Sequence, residues 1–527
     1  MATSKYIALM FLAVTCLSAV SWAGNVNFEE AVRVECGFTR YPTLCVKTLT
    51  PASVDPNGDF LSTLVSKTIS ETKMPDSYVG SLTSNSLSLD SQLIQTATDY
   101  CEELMEMSVK RLNQALELLK KSPKKNKDDI QTWLSAALTF QEACRDTIKD
   151  HVASNAYMAQ IYSKMDHLSQ LGSNSLALAN RITGSPTPTG RKLLERAVFP
   201  SWVSAADRKL LQTTGVKANA VVAKDGSGDF ETVAEAINAA TGGRFVIYVK
   251  SGTYNEKIST NKDGITLIGD GKYSTIITAG SSVGKGASLG GSATFTVHGD
   301  GFIARDIGFQ NTAGPDGHQA IALAVSSDRS VIYRCSISGY QDTLYALSLR
   351  QFYRECDIYG TIDYIFGNAV AVLQSCNLIF RRPRSGASFN AILANGRTDP
   401  GQNTGFSVQN CKITVGSDFS TGKNSFSMYL GRPWKAYSRA VVMQSNIDGA
   451  ISPRGWNEWE GAGGSTYKTL YFAEYGNMGA GAATSGRVNW PGYHVIGTPE
   501  ASKFTVGNFI AGNSWLPSTG VSFVSGL

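Results

Sequence analysis

Apolar positions change their spacing once along this chain, near residue 183. Between about residues 27 and 182 they recur every three or four residues. In SQLIQTATDYCEELMEMSVKRLNQALELLKKS, the residues Ile94, Ala97, Cys101, Leu104, Ser108, Leu112, Ala115 and Leu119 fall on one face of a helix. The stretch KDDIQTWLSAALTFQEACRDTIKDH opens with acidic residues, which suit the positive end of a helix dipole, and repeats the pattern. Several such helices joined by short polar breaks predict an up-and-down bundle.

From residue 217 onward the chain reads as short β runs between Gly, Asn and Asp: RFVIYVKSGTYNEKI, GITLIGDG, FIARDIGFQNTAG, SVIYRCSISGYQDTLY, RQFYRECDIYGTIDYIFG and VAVLQSCNLIF. The runs are self-similar. YRCSIS and YRECDIYG align on Cys335 and Cys356, and LQSCNLI continues the series at Cys376. A β period of 20 to 21 residues predicts a solenoid, most simply a parallel β-helix. An antiparallel sandwich would leave the repeated Cys positions unexplained.

Length and composition fit this division. A chain of 527 residues exceeds one ordinary core, and 42% apolar with 17% charged residues is globular. A net charge of +5 is no footprint of a nucleic-acid binder, although an acidic matrix or polyanionic substrate would retain a mildly basic protein. The first residues place Lys5 before an apolar stretch from about Tyr6 to Val20 and the small-residue end SWA, a secretory leader with cleavage after Ala23. That stretch is short of a bilayer span, and no later segment is long and apolar enough to cross one. Secretion accounts for the nine cysteines. Cys16 leaves with the leader, and Cys36, Cys45, Cys101, Cys144, Cys335, Cys356, Cys376 and Cys411 remain. No CxxC pair or His/Cys cluster has zinc spacing.

Two aspartates stand out against this background. Asp342 lies seven residues after Cys335, and Asp363 lies seven after Cys356, both within apolar runs. If each repeat is one coil, the two carboxyls stack on neighbouring strands, roughly 4.8 Å apart. Like charges so close cannot both ionise easily, which yields an acid beside a nucleophile or base. Gln341 and Gln319 are neutral amides suited to an oxyanion. Arg432 in YLGRPW can hold an ionised carboxylate in a fork. Trp434, Tyr345, Phe366 and Trp456 offer flat faces for sugar rings.

The pair in ECGFTRYPTLC, followed by Cys101 and Cys144 on two later amphipathic helices, resembles the pectin methylesterase inhibitor family. The resemblance implies a four-helix bundle with disulfides Cys36–Cys45 and Cys101–Cys144. Residues 215 to 527 resemble the plant pectin methylesterases: GTYNEK, QAIAL, YQDTLY, GTIDYIFG and YLGRPW stand in family order, and WPGYHVI and GNSWLPSTGV close the chain. This resemblance implies that Asp363 is the nucleophile, Asp342 the proton donor and later base, and Gln319 and Gln341 the oxyanion donors. It implies further that Arg432 orients Asp363, that Trp434 contacts substrate, and that Cys356–Cys376 is a disulfide with Cys335 and Cys411 free. No metal or cofactor is called for. One departure is Leu289, at a place where many relatives carry a substrate-contacting Thr.

The expected fold class is an N-terminal all-α four-helix bundle followed by an all-β right-handed parallel β-helix. The expected segments are a leader at 1–23, an inhibitor-like pro-region at 24–182, a linker at 183–211 and the esterase at 212–527. RKLL occurs twice in the linker, at Arg191–Leu194 and Arg208–Leu211, where a subtilisin-like processing protease would find exposed basic residues. Expected partners are methyl-esterified homogalacturonan, that protease and proteinaceous pectin methylesterase inhibitors, for a monomer in the plant cell wall. Three rivals remain. GSSVG and GASLG match the serine-esterase pattern, though without a helix following. A β-helix lyase or hydrolase is a second, but an inverting hydrolase needs its carboxyls roughly 6.5–9.5 Å apart. The third is a binding or inhibitory protein with a silent esterase half.

Overall fold

The structure, a computed structural model, describes residues 28–50, 59–72, 89–149, 152–183, 218–419 and 426–527. The expected leader and both RKLL stretches lie outside the described residues. The chain divides into two compact units, Met1–Asn85 with Glu102–Thr187 and Ser86–Cys101 with Pro188–Leu527. Each is described by itself.

The N-terminal half is helical where described: 28–36, Pro42–Leu49, Phe60–Glu71, Leu89–Lys121, Lys127–Ile148 and Ala156–Asn180. Local chemistry sets the starts. Asn155 accepts from the backbone of Tyr157 and Met158 ahead of the last helix, and Asp59 accepts from Ser62 N. The predicted stripe is inside: Ala97, Cys101, Leu104, Ser108, Leu112, Ala115 and Leu119 are all buried. Leu112 and Ala115 join Leu64, Val65, Ile130, Leu134 and Leu176 in one core. Cys36 and Cys45 form a disulfide with their Cα atoms 5.6 Å apart, and Cys101 and Cys144 are also disulfide-bonded.

The C-terminal half is a parallel β-helix of three sheets with eleven, eight and seven strands among the described residues. Each complete coil gives one strand to each sheet, and the first and last turns contribute to fewer. One coil runs Ser330–Tyr333, Ser336–Ser338, Leu344–Ala346; the next runs Arg350–Arg354, Asp357–Gly360, Ile365–Gly367. All pairings between them are parallel. The corner between the first two strands of a coil is made by one left-handed residue. Asp306, Arg334, Glu355, Ser375, Asn410 and Gln444 fill that place with φ between 51° and 55° in six successive coils. Left-handed backbone turns the chain sharply in a single residue and returns it to extended geometry.

The residue after this corner points into the core, so Cys335, Cys356, Cys376 and Cys411 stack in register. All four are buried free thiols. The expected Cys356–Cys376 disulfide is therefore corrected. Three of the thiols turn to a carbonyl of the preceding coil, and Cys335 Sγ donates to Tyr333 O of its own coil at 3.4 Å. Cys356 Sγ donates to Ile332 O at 3.2 Å, Cys376 Sγ to Tyr353 O at 3.5 Å and Cys411 Sγ to Leu373 O at 3.4 Å. Sulfur-to-sulfur bonding would require the Cβ vectors to converge.

One end and one outer face of the solenoid are covered. Near the first coils the helix Val233–Asn238, started by a Thr232/Glu235 capping box, adds Val233, Ala236 and Ile237 to the core. Along the outer face of the eleven-stranded sheet, Val506, Ile510, Trp515 and Leu516 pack on Ile303, Val331, Phe352, Val370 and Val372.

Candidate active site

Asp342 and Asp363 sit on the corners between the second and third strands of neighbouring coils. Before the corner, Ser338 pairs with Tyr359; after it, Leu344 pairs with Ile365. The offset is 21 residues on both sides, so the two corners have equal length and the aspartates occupy equivalent places. Backbone bonds tie the corners together: Asp342 N donates to Ile362 O at 3.1 Å, Leu344 N to Tyr364 O at 2.8 Å and Thr361 N to Tyr340 O at 2.9 Å. Both aspartates are left-handed, with φ 60° and 51°, a conformation Asp tolerates better than most residues. They are buried, 8% and 5% exposed. That decides against solvated turns.

Their environments differ. Arg432, on the strand Ser427–Arg432, forks onto Asp363: Nε lies 2.8 Å from Oδ1 and Nη2 lies 2.5 Å from Oδ2. The guanidinium is itself sandwiched, its Cζ 4.0 Å from the Trp459 ring centre and 4.9 Å from that of Phe389. Burial pushes both carboxyls above their ordinary range. For Asp363 the Arg432 fork pulls the other way, by hydrogen bonding and by charge. For Asp342 burial is joined by the charge of Asp363, with Arg432 only partly offsetting, and its carboxyl is held well above the usual range. The Arg432 fork thus favours the ionised form at Asp363, while at Asp342 only the charge of Arg432 opposes burial.

Gln341 adjoins Asp342, and the coil before brings Gln319 alongside, where Ala320 N donates to Gln341 O at 3.2 Å. Both glutamines are partly exposed. Tyr345 and Phe366 pair in register and stack with ring centres 4.3 Å apart and planes at 5°. At 4% and 3% exposure they present little face to solvent. Trp434 is half-buried, edge-on to Phe366 at 6.1 Å, with Gly396 beneath its ring where a Cβ would stand 2.9 Å from ring carbons.

Trp456 is not at the site. It is fully buried, stacks on Phe472 at 4.3 Å and donates Nε1 to Glu474 at 3.3 Å. The expectation that it supports sugar is corrected: its indole N–H is satisfied inside the core. Sequence reasoning instead missed Trp459, three residues on in RGWNEWE, together with Phe389. Neither serine pattern forms an elbow. Ser282 precedes the single 3-10 turn Val283–Lys285, and Ser288 Oγ accepts from Gly291 N. No group of three or more His, Cys, Asp or Glu suited to a metal occurs among the described residues, and no described helix is long and apolar enough to cross a membrane.

A parallel β-helix with a buried pair of carboxyls, one forked by arginine, has the makings of an acid–base or nucleophilic enzyme site on a solenoid. Comparison with known families makes this specific. The pectinesterase family profile matches residues 219–513, and that of the plant invertase/pectin methylesterase inhibitor family matches 30–178. A probable pectinesterase/pectinesterase inhibitor 54 from Arabidopsis thaliana is 48% identical over 91% of this chain and 90% of its own. Pectinesterase 2 from Citrus sinensis is 46% identical over 94% and 95%. Among solved structures, the pectin methylesterase from carrot is 52% identical with a TM-score of 0.58, covering 60% of this chain and all of its own. The chain belongs to the pectinesterase family, carboxylic ester hydrolases, and carries an inhibitor-family domain ahead of the esterase.

Proposed function

We propose that this protein hydrolyses methyl esters of galacturonate units in pectin through Asp363 as nucleophile and Asp342 as acid and base. The observation that carries the reading is the asymmetry of the pair: two carboxyls in register on adjacent coils, only one of them forked by Arg432. Ionised Asp363 attacks the ester carbonyl carbon, and the carbonyl oxygen takes the negative charge. The Gln319 and Gln341 amides donate to it without adding a charge that would compete with the pair. As the intermediate collapses, the bond to the methoxy oxygen breaks and Asp342 gives it a proton, so methanol leaves and an anhydride remains on Asp363. Asp342, now a carboxylate, takes a proton from water; the hydroxide attacks the same carbon, releasing the free acid and Asp363. Trp434 contacts the neighbouring sugar.

Methanol release from highly esterified pectin tests this directly. The parent chain releases methanol; Asp363→Asn lowers the rate by about 10³-fold or more, as expected for a lost nucleophile. A variant turning over at the parent rate overturns the assignment. Loss of pectin viscosity without methanol would instead favour chain cleavage.

The leader pattern and cysteine usage support secretion to the cell wall. The inhibitor-family region is proposed to restrain the esterase until the linker is cut at RKLL, giving a mature enzyme that starts near residue 212.

A further inference from the structure

The solenoid has a second concavity, on a different edge from the carboxyl pair. Among the described residues of the esterase half, five large apolar side chains are exposed: Tyr273, Met478, Val495, Val524 and Leu527. Three of them, Met478, Val524 and Leu527, line one cavity of about 530 Å³. It lies where the eleven-stranded sheet turns into the eight-stranded one, along the corner that holds Asn410 and Gln444. Asp342 and Asp363 stand on the next corner round, between the eight- and seven-stranded sheets.

The floor of the cavity is a run of side-chain amides. Gln374 and Gln409 are in register on successive coils, and Gln444 follows at the corner of the third. Gln374 Nε2 donates to Gln409 Oε1, and Gln409 Nε2 to Gln444 Oε1, both at 2.9 Å. The second N–H of each goes to a carbonyl near the end of the chain, Val524 O at 2.9 Å and Gly526 O at 2.8 Å. Gln444 Nε2 has no partner among the described residues, so both its N–H groups are open to an acceptor. Asn410 gives Nδ2 to Ser375 Oγ at 3.1 Å, which leaves its Oδ1 to accept. Tyr475, whose hydroxyl lies 3.0 Å from Thr498 Oγ1, adds a ring held in place. No charged side chain lines the cavity.

We infer that this cavity is a second, non-catalytic binding site for methyl-esterified galacturonan. The inference rests on the esterase reading above, which makes that polymer the substrate. The two occupied rungs show what the amide run takes: a neutral carbonyl oxygen flanked by apolar groups. A methyl ester offers the same, with its carbonyl for Gln444 and its methyl group for Met478 and Leu527. Sugar hydroxyls suit Asn410, and the sugar ring suits the face of Tyr475. The product of hydrolysis fits poorly. A free carboxylate would lose water in a lining that has no cation to pair with it. The cavity therefore holds unreacted stretches and releases hydrolysed ones, which keeps the enzyme on pectin that still carries esters.

The test uses the full chain in the Asp363→Asn background, so that the probe is not consumed. Gln444→Ala and Met478→Ala are compared with the parent, and Val495→Ala, exposed but outside the cavity, is the control. The probe is a fully methyl-esterified galacturonate hexamer, measured by calorimetric binding beside its de-esterified form. Each cavity variant should weaken binding of the esterified hexamer at one site by about threefold to tenfold, as for one lost hydrogen bond or apolar contact. Val495→Ala should match the parent, and the de-esterified hexamer should bind all four chains alike. With Asp363 restored and the linker intact or cut, the cavity variants should raise KM for long pectin while kcat stays at the parent value. Equal binding of the esterified hexamer by the parent and both cavity variants overturns the site. So does a de-esterified hexamer that binds the parent more tightly than the variants. A VSFVSGL peptide, with the carbonyls of residues 521–527, that binds the parent but not the variants where the hexamer fails would make the cavity a peptide groove instead. Absence of methanol release from every sample, with the binding difference intact, sinks the esterase reading and leaves the second site standing.

Discussion

Asp342 illustrates what a buried carboxyl costs the fold. In the folded chain its carboxyl is held well above the ordinary range, chiefly by burial and then by the charge of Asp363. In the unfolded chain it titrates near the usual ~3.9. Below that value both states hold the proton and nothing is lost. As pH rises, the unfolded state releases its proton first, and stability falls by about 1.4 kcal/mol per pH unit until the folded group titrates as well. Asn mimics the protonated form. Asp342→Asn should therefore match the parent in urea unfolding at pH 4 and exceed it by about 1 kcal/mol or more at pH 7, while losing methanol release. Equal stability at pH 7 would mean that the carboxyl is not held neutral by its site.

Among individual residues, the aspartates were legible in the sequence because the corners they occupy have equal length, so one period carried both into register. Gln319 did not share that advantage, since its corner is seven residues longer; its amide chemistry and the resemblance pointed to it, not an equal spacing. The two tryptophans of RGWNEWE show the limit. That segment has neither helical nor strand periodicity, so nothing in its spacing says that Trp456 turns inward to Glu474 and Trp459 outward over Arg432.

Elements carry a different kind of information. The Cys period predicted the stack of coils correctly, but a period fixes only which residues lie over one another. Whether stacked thiols join depends on the directions of their Cβ atoms, which composition does not encode. Thiol titration is the check: the native chain should show no reaction at Cys335, Cys356, Cys376 and Cys411, and all four should react after denaturation without reductant. Two reacting thiols in the denatured esterase half would restore the Cys356–Cys376 bond. Position within the coil also separates the aromatics. Trp456→Ala removes a filled core side chain and should cost about 3–5 kcal/mol. Trp434→Ala should leave the melting temperature within 2 °C or so, since surface changes cost little, and should lower kcat/KM for pectin. A Trp434→Ala variant with unchanged kcat/KM would remove it from the substrate contacts.

The whole molecule joins two units with separate chemistry and separate cores. The helical half has no cluster like the carboxyl pair among its described residues, and its stability rests on its own apolar stripe and disulfides. The change of apolar spacing near residue 183 was enough to foresee a helical region followed by a solenoid, because helical and solenoid periods cannot be confused over such lengths. Cutting the linker should raise the initial rate of methanol release severalfold if the inhibitor-family half restrains the esterase. Equal rates before and after would assign that half another task, such as assisting folding.

The equal corner lengths at Asp342 and Asp363 carry one more consequence. Their meeting depends on counting: 21 residues separate them, and 21 separate the strands on either side. A single codon inserted between Gly339 and Thr343 would turn one carboxyl out of line while leaving every side chain of the pair chemically intact. Codons added within 381–388 would change only the length of the next corner. Heritable changes of length therefore break the pairing of the carboxyls at one corner and leave it intact at the next.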